Sequence, residues 1–137
     1  MATLMVSTGK NIVTGRIKGV TGTGVAGAVE PVYTAWGTGA GTTAIGDTTL
    51  FTEVNGAGSG TGTRVTGTST QQTTTVTNDT YQVVGTVSAT TGLTITNAGL
   101  FDSATIGSGN LFIKGDFTGI VLNAGDSIQF TIKAQFS

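Results

Sequence analysis

The 137-residue sequence contains neither cysteine nor histidine. Without them, disulfide staples, thiolate and imidazole metal sites, Cys-His dyads and the usual Ser-His-Asp triad are excluded together. Charge is nearly as scarce: Asp, Glu, Lys and Arg make up 9% of the chain and the formal net charge is -1, against about 25% charged residues in an average soluble domain. So weak a field draws in neither a polyanion nor an anionic membrane, which argues against nucleic acid and membrane as partners. No apolar run approaches the roughly 20 residues that span a bilayer, and Met1 to Lys10 lacks the basic start and apolar stretch of a secretory signal. The expectation is a protein made and kept in a cytoplasm until something incorporates it.

What fills the chain instead is glycine, 23 residues of it, an even larger number of threonines, and a hydrophobic fraction of 37%. One domain's worth of chain, taken as a single unit over residues 1–137, removes about two-thirds of its extended surface from water and needs no staple. A polar but nearly uncharged surface puts little repulsion between copies, so the composition suits a subunit docked in a large assembly.

Helix formers are scarce, and Thr, Val, Ile and aromatic residues recur in short runs between Gly, Asn and Asp. The fold expected is all-β, an antiparallel β-sandwich of jelly-roll-like kind, with at most one short N-terminal helix over residues 8–18 behind a Thr8 cap. The clearest strand is the last, where Ile128, Phe130, Ile132, Ala134 and Phe136 alternate with Gln129, Thr131, Lys133 and Gln135. Tyr81 to Ala89 alternates around Gly85, and Val84 interrupts its polar side. Leu93 to Phe101 forms a further strand, and Leu111 to Val121 another, interrupted by a turn or bulge at Gly115-Asp116 and Thr118-Gly119. Together these four runs read as a meander.

The first half is less regular. Pro31 to Trp36 predicts a short strand, Gly37 to Gly46 a glycine-rich loop, and Asp47 to Val54 an amphipathic segment or single turn. Arg64 to Thr77 predicts one or two strands that are polar on both faces. Burial sets the register of such strands weakly, and they tend to be sheet edges or intersubunit strands, so contact with neighbouring copies is expected there, with Thr73 and Thr75 as candidate interface residues.

Several stretches invite a chemical reading and fail its test. Gly37-Thr38-Gly39-Ala40-Gly41 and Gly56-Ala57-Gly58-Ser59-Gly60 lack the Gly-Lys-Ser/Thr ending of a phosphate loop, and Gly9-Lys10 is followed by Asn11. Flexible surface loops are the plainer reading. Asp79, Asp102, Asp116 and Asp126 supply oxygen ligands of the kind calcium takes, but no pair has loop-site spacing, so each is read as a turn residue capping backbone amides. Asn78-Asp79-Thr80 matches a glycosylation acceptor and reads as a turn. Tyr33 and Trp36, an aromatic pair suited to stacking on a sugar or base, read as core. The threonine run Thr73 to Thr77 lacks the fixed period of an ice-binding solenoid. No residue is expected to be catalytic, to bind a cofactor or to hold a metal, and an enzyme working through carboxylates alone is the disfavoured alternative.

One resemblance goes beyond composition. Tyr33-Thr34-Ala35-Trp36-Gly37-Thr38-Gly39, Asp47-Thr48-Thr49-Leu50 with Glu53, and Arg64-Val65 are followed in order by Tyr81-Gln82-Val83-Val84-Gly85-Thr86, Thr96-Asn97-Ala98-Gly99-Leu100-Phe101-Asp102 and Gly125-Asp126-Ser127-Ile128. With these stretches the chain resembles the small structural proteins of tailed phages, capsid decoration (cement) proteins or tail-fibre-like proteins. The resemblance implies a sandwich or jelly-roll subunit, often a homotrimer, whose partners are copies of itself and the major capsid protein or other virion proteins. It implies a virion location, with a tail, baseplate or fibre part as the alternative to head decoration. It also places Asp47, Glu53 and Arg64 together, where Arg64 pairs a carboxylate either at a subunit contact or as a loop anchor within one subunit.

Overall fold

The computed structural model describes residues 2–6, 8, 29–75 and 80–136. Among them are nine strands: β1 (Ala2–Met5), β2 (Tyr33–Gly37), β3 (Glu53–Val54), β4 (Val65–Thr66), β5 (Thr68–Gln72), β6 (Thr80–Ser88), β7 (Leu93–Phe101), β8 (Leu111–Leu122) and β9 (Ser127–Gln135). All pairings are antiparallel. A six-stranded sheet runs β1-β8-β7-β2-β3 with β4 also on β2, and a three-stranded sheet runs β5-β6-β9. The chain is therefore the all-β sandwich that its short alternating runs predict. The expected helix lies outside the described residues apart from Thr8, whose hydroxyl donates to Leu111 O at 2.6 Å.

Period-two patterning decides which side chains meet between the sheets. Val83, Val87 and Ala89 from the small sheet, with Phe130, Ile132 and Ala134 beside them, pack on Trp36, Ile95, Ala98, Leu100, Phe112 and Ile113 from the large one. Each large apolar side chain buried there contributes about 1.5–3 kcal/mol relative to exposure. Trp36 is 2% exposed, in the core as expected. The sheets come closest at Gly85, where an added Cβ would lie 2.3 Å from Thr34 Oγ1.

The four long strands do not form a meander. β6 crosses to the other sheet through residues 89–92, β7 and β8 form a hairpin, and β9 returns to pair with β6 along its whole length, from Thr80↔Gln135 to Ser88↔Ser127. Backbone bonds from Ala89 N to Asp126 O and from Gly125 N to Ala89 O tie the two crossings together. Alternation reports which face is apolar but not which neighbour lies alongside, so two adjacent runs separated by a short turn look like a hairpin in sequence whether or not they pair.

Strand β8 is continuous: Gly115 and Asp116, expected at a turn or bulge, pair in regular register, and the expected bulge is found only at Thr118-Gly119. Ile95↔Ile120 is followed by Asn97↔Asp116, so Phe117, Thr118 and Gly119 together face Thr96. A second irregularity, Leu100↔Ile113 followed by Phe101↔Leu111, leaves Phe112 as an extra residue. That bulge lets Phe112 and Ile113, neighbours in sequence, both enter the core. The polar run after Arg64 splits at Gly67 into β4, on the large sheet, and β5, the edge of the small one.

Candidate functional site

The outer face of the large sheet is covered by residues 38–52, which run across it as a strap. Leu50 of the strap joins Val6, Ala35, Phe101 and Leu111 in a second apolar cluster. Gly37 makes room for it: a Cβ there would lie 2.3 Å from Phe51 O and 2.8 Å from the Asn97 amide. Thr52, at the end of the strap, holds φ at 50°, a left-handed conformation costly for a β-branched residue. Four side chains of the sheet hold the strap down, the first being Thr96, whose hydroxyl donates to Gly39 O. Asn97, fully buried, accepts from Phe51 N at 3.0 Å and donates to Phe51 O at 3.1 Å. Lys114 donates to Asp47 Oδ2 at 2.8 Å and to Thr49 O at 3.0 Å, with its ammonium 3.2 Å from the centre of the Phe51 ring. Asp116 accepts from Thr43 N at 2.8 Å.

The two carboxylates, Asp47 and Asp116, are held in their ionised form by what they touch. The Lys114 hydrogen bond, against a smaller opposing effect of burial, holds the Asp47 carboxyl below the ordinary carboxylate range. Thr43, whose amide donates to it, does the same for Asp116. The glycine-rich stretch Gly37 to Gly46, expected as a flexible surface loop, is thus tied to the sheet at both ends, and Asp116 is a mid-strand strap anchor where a turn residue was expected.

A second charge cluster closes one end of the sandwich. Arg64 forks onto Glu53 through Nε to Oε1 at 2.6 Å and Nη2 to Oε2 at 3.1 Å, and its Nη1 donates to Ser103 O and Ser108 O at 2.8 and 2.9 Å. Its guanidinium also stacks on the Phe101 ring at 3.6 Å. The side chain is 1% exposed, so Arg64 and Glu53 form a loop anchor inside one subunit, the second of the two arrangements weighed for them. Asp47 does not join this pair; it belongs to Lys114 on the strap. Asp102 reinforces the same loop by accepting from Asn110 N at 2.6 Å.

Among the described residues, Arg64, Lys114 and the carboxylates therefore act as internal fasteners. Every described carboxylate accepts a hydrogen bond within the chain: Glu30 from Tyr81, Asp126 from Asn123 N, and the others as above. Among the described residues no three carboxylates gather as metal ligands would. An open cleft of about 630 Å³ lies beside the β8 bulge, lined by Phe117, Ile120, Ile128 and Phe130 with Asp116 at its margin. Asp116 is its one titratable side chain, and it already holds Thr43.

The small sheet presents a different surface. Its outward positions are Thr68, Thr70 and Gln72 on β5, Gln82, Val84, Thr86 and Ser88 on β6, and Ser127, Gln129, Thr131, Lys133 and Gln135 on β9. Most are exposed, and Lys133 is the single charge among them. Thr73 and Thr75 follow directly after β5 and are exposed. Lys114 and Asn97 were not singled out from sequence, although a lone lysine closing the apolar run Leu111-Phe112-Ile113 is a signal that it has a partner to meet.

Comparison with protein-family models, with curated proteins and with solved structures finds no match.

Proposed function

We propose that this chain is a virion structural protein without enzymatic activity, a capsid decoration protein that binds the assembled head lattice and stabilises it through contacts between subunits. The observation that carries this reading is the division of polar groups between the two sheets. Among the described residues the carboxylates, Arg64 and Lys114 are bonded inside the subunit, where they hold loops, and the outward face of the small sheet is an array of hydroxyls and amides with Lys133 as its single charge. Such a surface suits adhesion: desolvating Thr, Ser and Gln costs far less than desolvating ions, and neutral copies do not repel one another. The resemblance to small tailed-phage proteins supports the same reading and adds the homotrimer and the capsid as partners.

The mechanism is mass action. A protein that binds only the assembled lattice lowers the free energy of that state by an amount set by its concentration and affinity, and multivalent docking strengthens modest single contacts. The test is electron microscopy of intact particles together with co-sedimentation of the purified chain with heads. The expected result is density for this subunit repeated over the head lattice. Density at the tail alone moves the protein to the tail or baseplate, and absence from particles overturns the reading.

A further inference from the structure

We infer that the outer edge of β5, which no described strand pairs with, is a self-association surface, pairing antiparallel with β5 of a second copy about a two-fold axis. A sheet edge presents unpaired N–H and C=O groups, and proteins that must stay apart guard it with charge, proline or a bulge. The edge strand β5 reads Thr68-Ser69-Thr70-Gln71-Gln72, with no charge and no proline, and pairs β6 in unbroken register. The opposite edge of the same sheet, β9, carries Lys133. The small sheet is thus guarded on one side and open on the other.

The strand is complementary to itself. A two-fold axis at Thr70 sets Thr68 against Gln72, Ser69 against Gln71 and Thr70 against Thr70, so every facing pair is neutral and able to hydrogen-bond, and threonine pairs opposite each other are favourable across antiparallel strands. Two three-stranded sheets then become one six-stranded sheet that is neutral across the join, with Lys133 on each outer strand. Five paired residues bury less than a stable dimer needs, so the contact is weak alone and gains strength where copies are already gathered. Being two-fold, it links pairs of subunits or pairs of trimers and does not itself build a trimer. The inference deepens the proposed function by naming a surface for its self-contact, and it rests on that reading for its biological setting.

Sedimentation of the purified full-length chain over a range of concentrations tests it. The wild type is expected to associate reversibly. Thr70→Lys, which places like charges opposite each other at an exposed position, is expected to weaken association by about fivefold or more, and Thr70→Gln to preserve it. Mixing Thr70→Lys with Thr70→Glu is expected to restore pairing between unlike copies. A wild type that stays monomeric at every concentration overturns the inference, as does a Thr70→Lys variant that associates like wild type. Particle binding is read separately: a Thr70→Lys chain that no longer self-associates and still decorates heads leaves the proposed function intact, and a self-associating wild type that ignores particles defeats only that function.

Discussion

Replacing Lys114 by methionine isolates what the strap's central fastener contributes. The side chain is fully buried, so methionine takes up similar volume and the change removes charge and hydrogen bonds with little loss of packing. Two charge-assisted bonds, to Asp47 and Thr49 O, are each worth about 1.5–3 kcal/mol by removal, and stacking on Phe51 adds about 1 kcal/mol. Against this, the variant no longer desolvates an ammonium, a saving of several kcal/mol. Asp47, 21% exposed, also regains water once its partner is gone. The balance is a net loss of about 2 kcal/mol, or a fall in Tm of about 6–8 °C for a domain of this length. Urea denaturation of Lys114→Met, Asp47→Asn and the double variant measures it, with a coupling of about 1 kcal/mol or more expected between the two positions. A Lys114→Met protein as stable as wild type, or additive losses, would show that the ion pair adds nothing to the hold of Leu50, Asn97 and Asp116 on the strap.

Four further outcomes are expected. Arg64→Lys loses the fork onto Glu53 and costs about 2 kcal/mol, with faster hydrogen exchange in residues 103–110, whose carbonyls Arg64 holds. Asn97→Asp sets a buried carboxylate against Phe51 O in place of an amide donor and costs about 3 kcal/mol or more in chemical denaturation. Because the folded pKa values of Asp47 and Asp116 lie below their ordinary 3.8, the stability they confer is present above about pH 4 and lost as pH falls below it, so Tm should drop in that window and drop less in Asp116→Asn. Burial, with Glu30 beside it, raises the Tyr81 pKa above its ordinary 10.0; stability from Tyr81 is therefore present below about pH 10 and lost as pH rises further, and Tyr81→Phe should flatten the alkaline limb of the Tm profile.

The fold was legible where one rule governs the outcome. Alternation of Ile128, Phe130, Ile132 and Ala134 with polar residues marks an inward and an outward face, and the structure has both. The run after Arg64 signalled an edge because it is polar on both faces for most of its length, and β5 is an edge. Pairing was less legible. Whether β6 lies beside β7 or β9 depends on how four residues at 89–92 turn, and on backbone bonds to Asp126, distant in sequence. The second apolar cluster was hidden for a related reason: Val6, Leu50 and Leu111 come from three separate segments with no shared period.

The charged cluster was half legible, and the missing half follows from the physics of a large neutral surface. The resemblance singled out Asp47, Glu53 and Arg64, and scarcity gave the reason to weigh them, since an ion kept in so uncharged a chain has something to bond. Scarcity alone does not say with what. Arg64 and Glu53, eleven residues apart, meet because β3 and β4 both pair with β2, whereas Asp47 meets Lys114, sixty-seven residues away, because the strap doubles back over β8. Asn97 gave no charge signal at all and still bonds both backbone groups of Phe51. Strong, directional bonds are thus concentrated on the large sheet, which must keep a long strap and an end loop in place. The small sheet carries mainly Thr, Ser and Gln on its outward face, with Val84 and Lys133 the exceptions. If contact with other copies depends on that neutrality, charge should be tolerated at the fasteners and penalised on β5, the opposite of the usual rule that surface strands accept lysine freely.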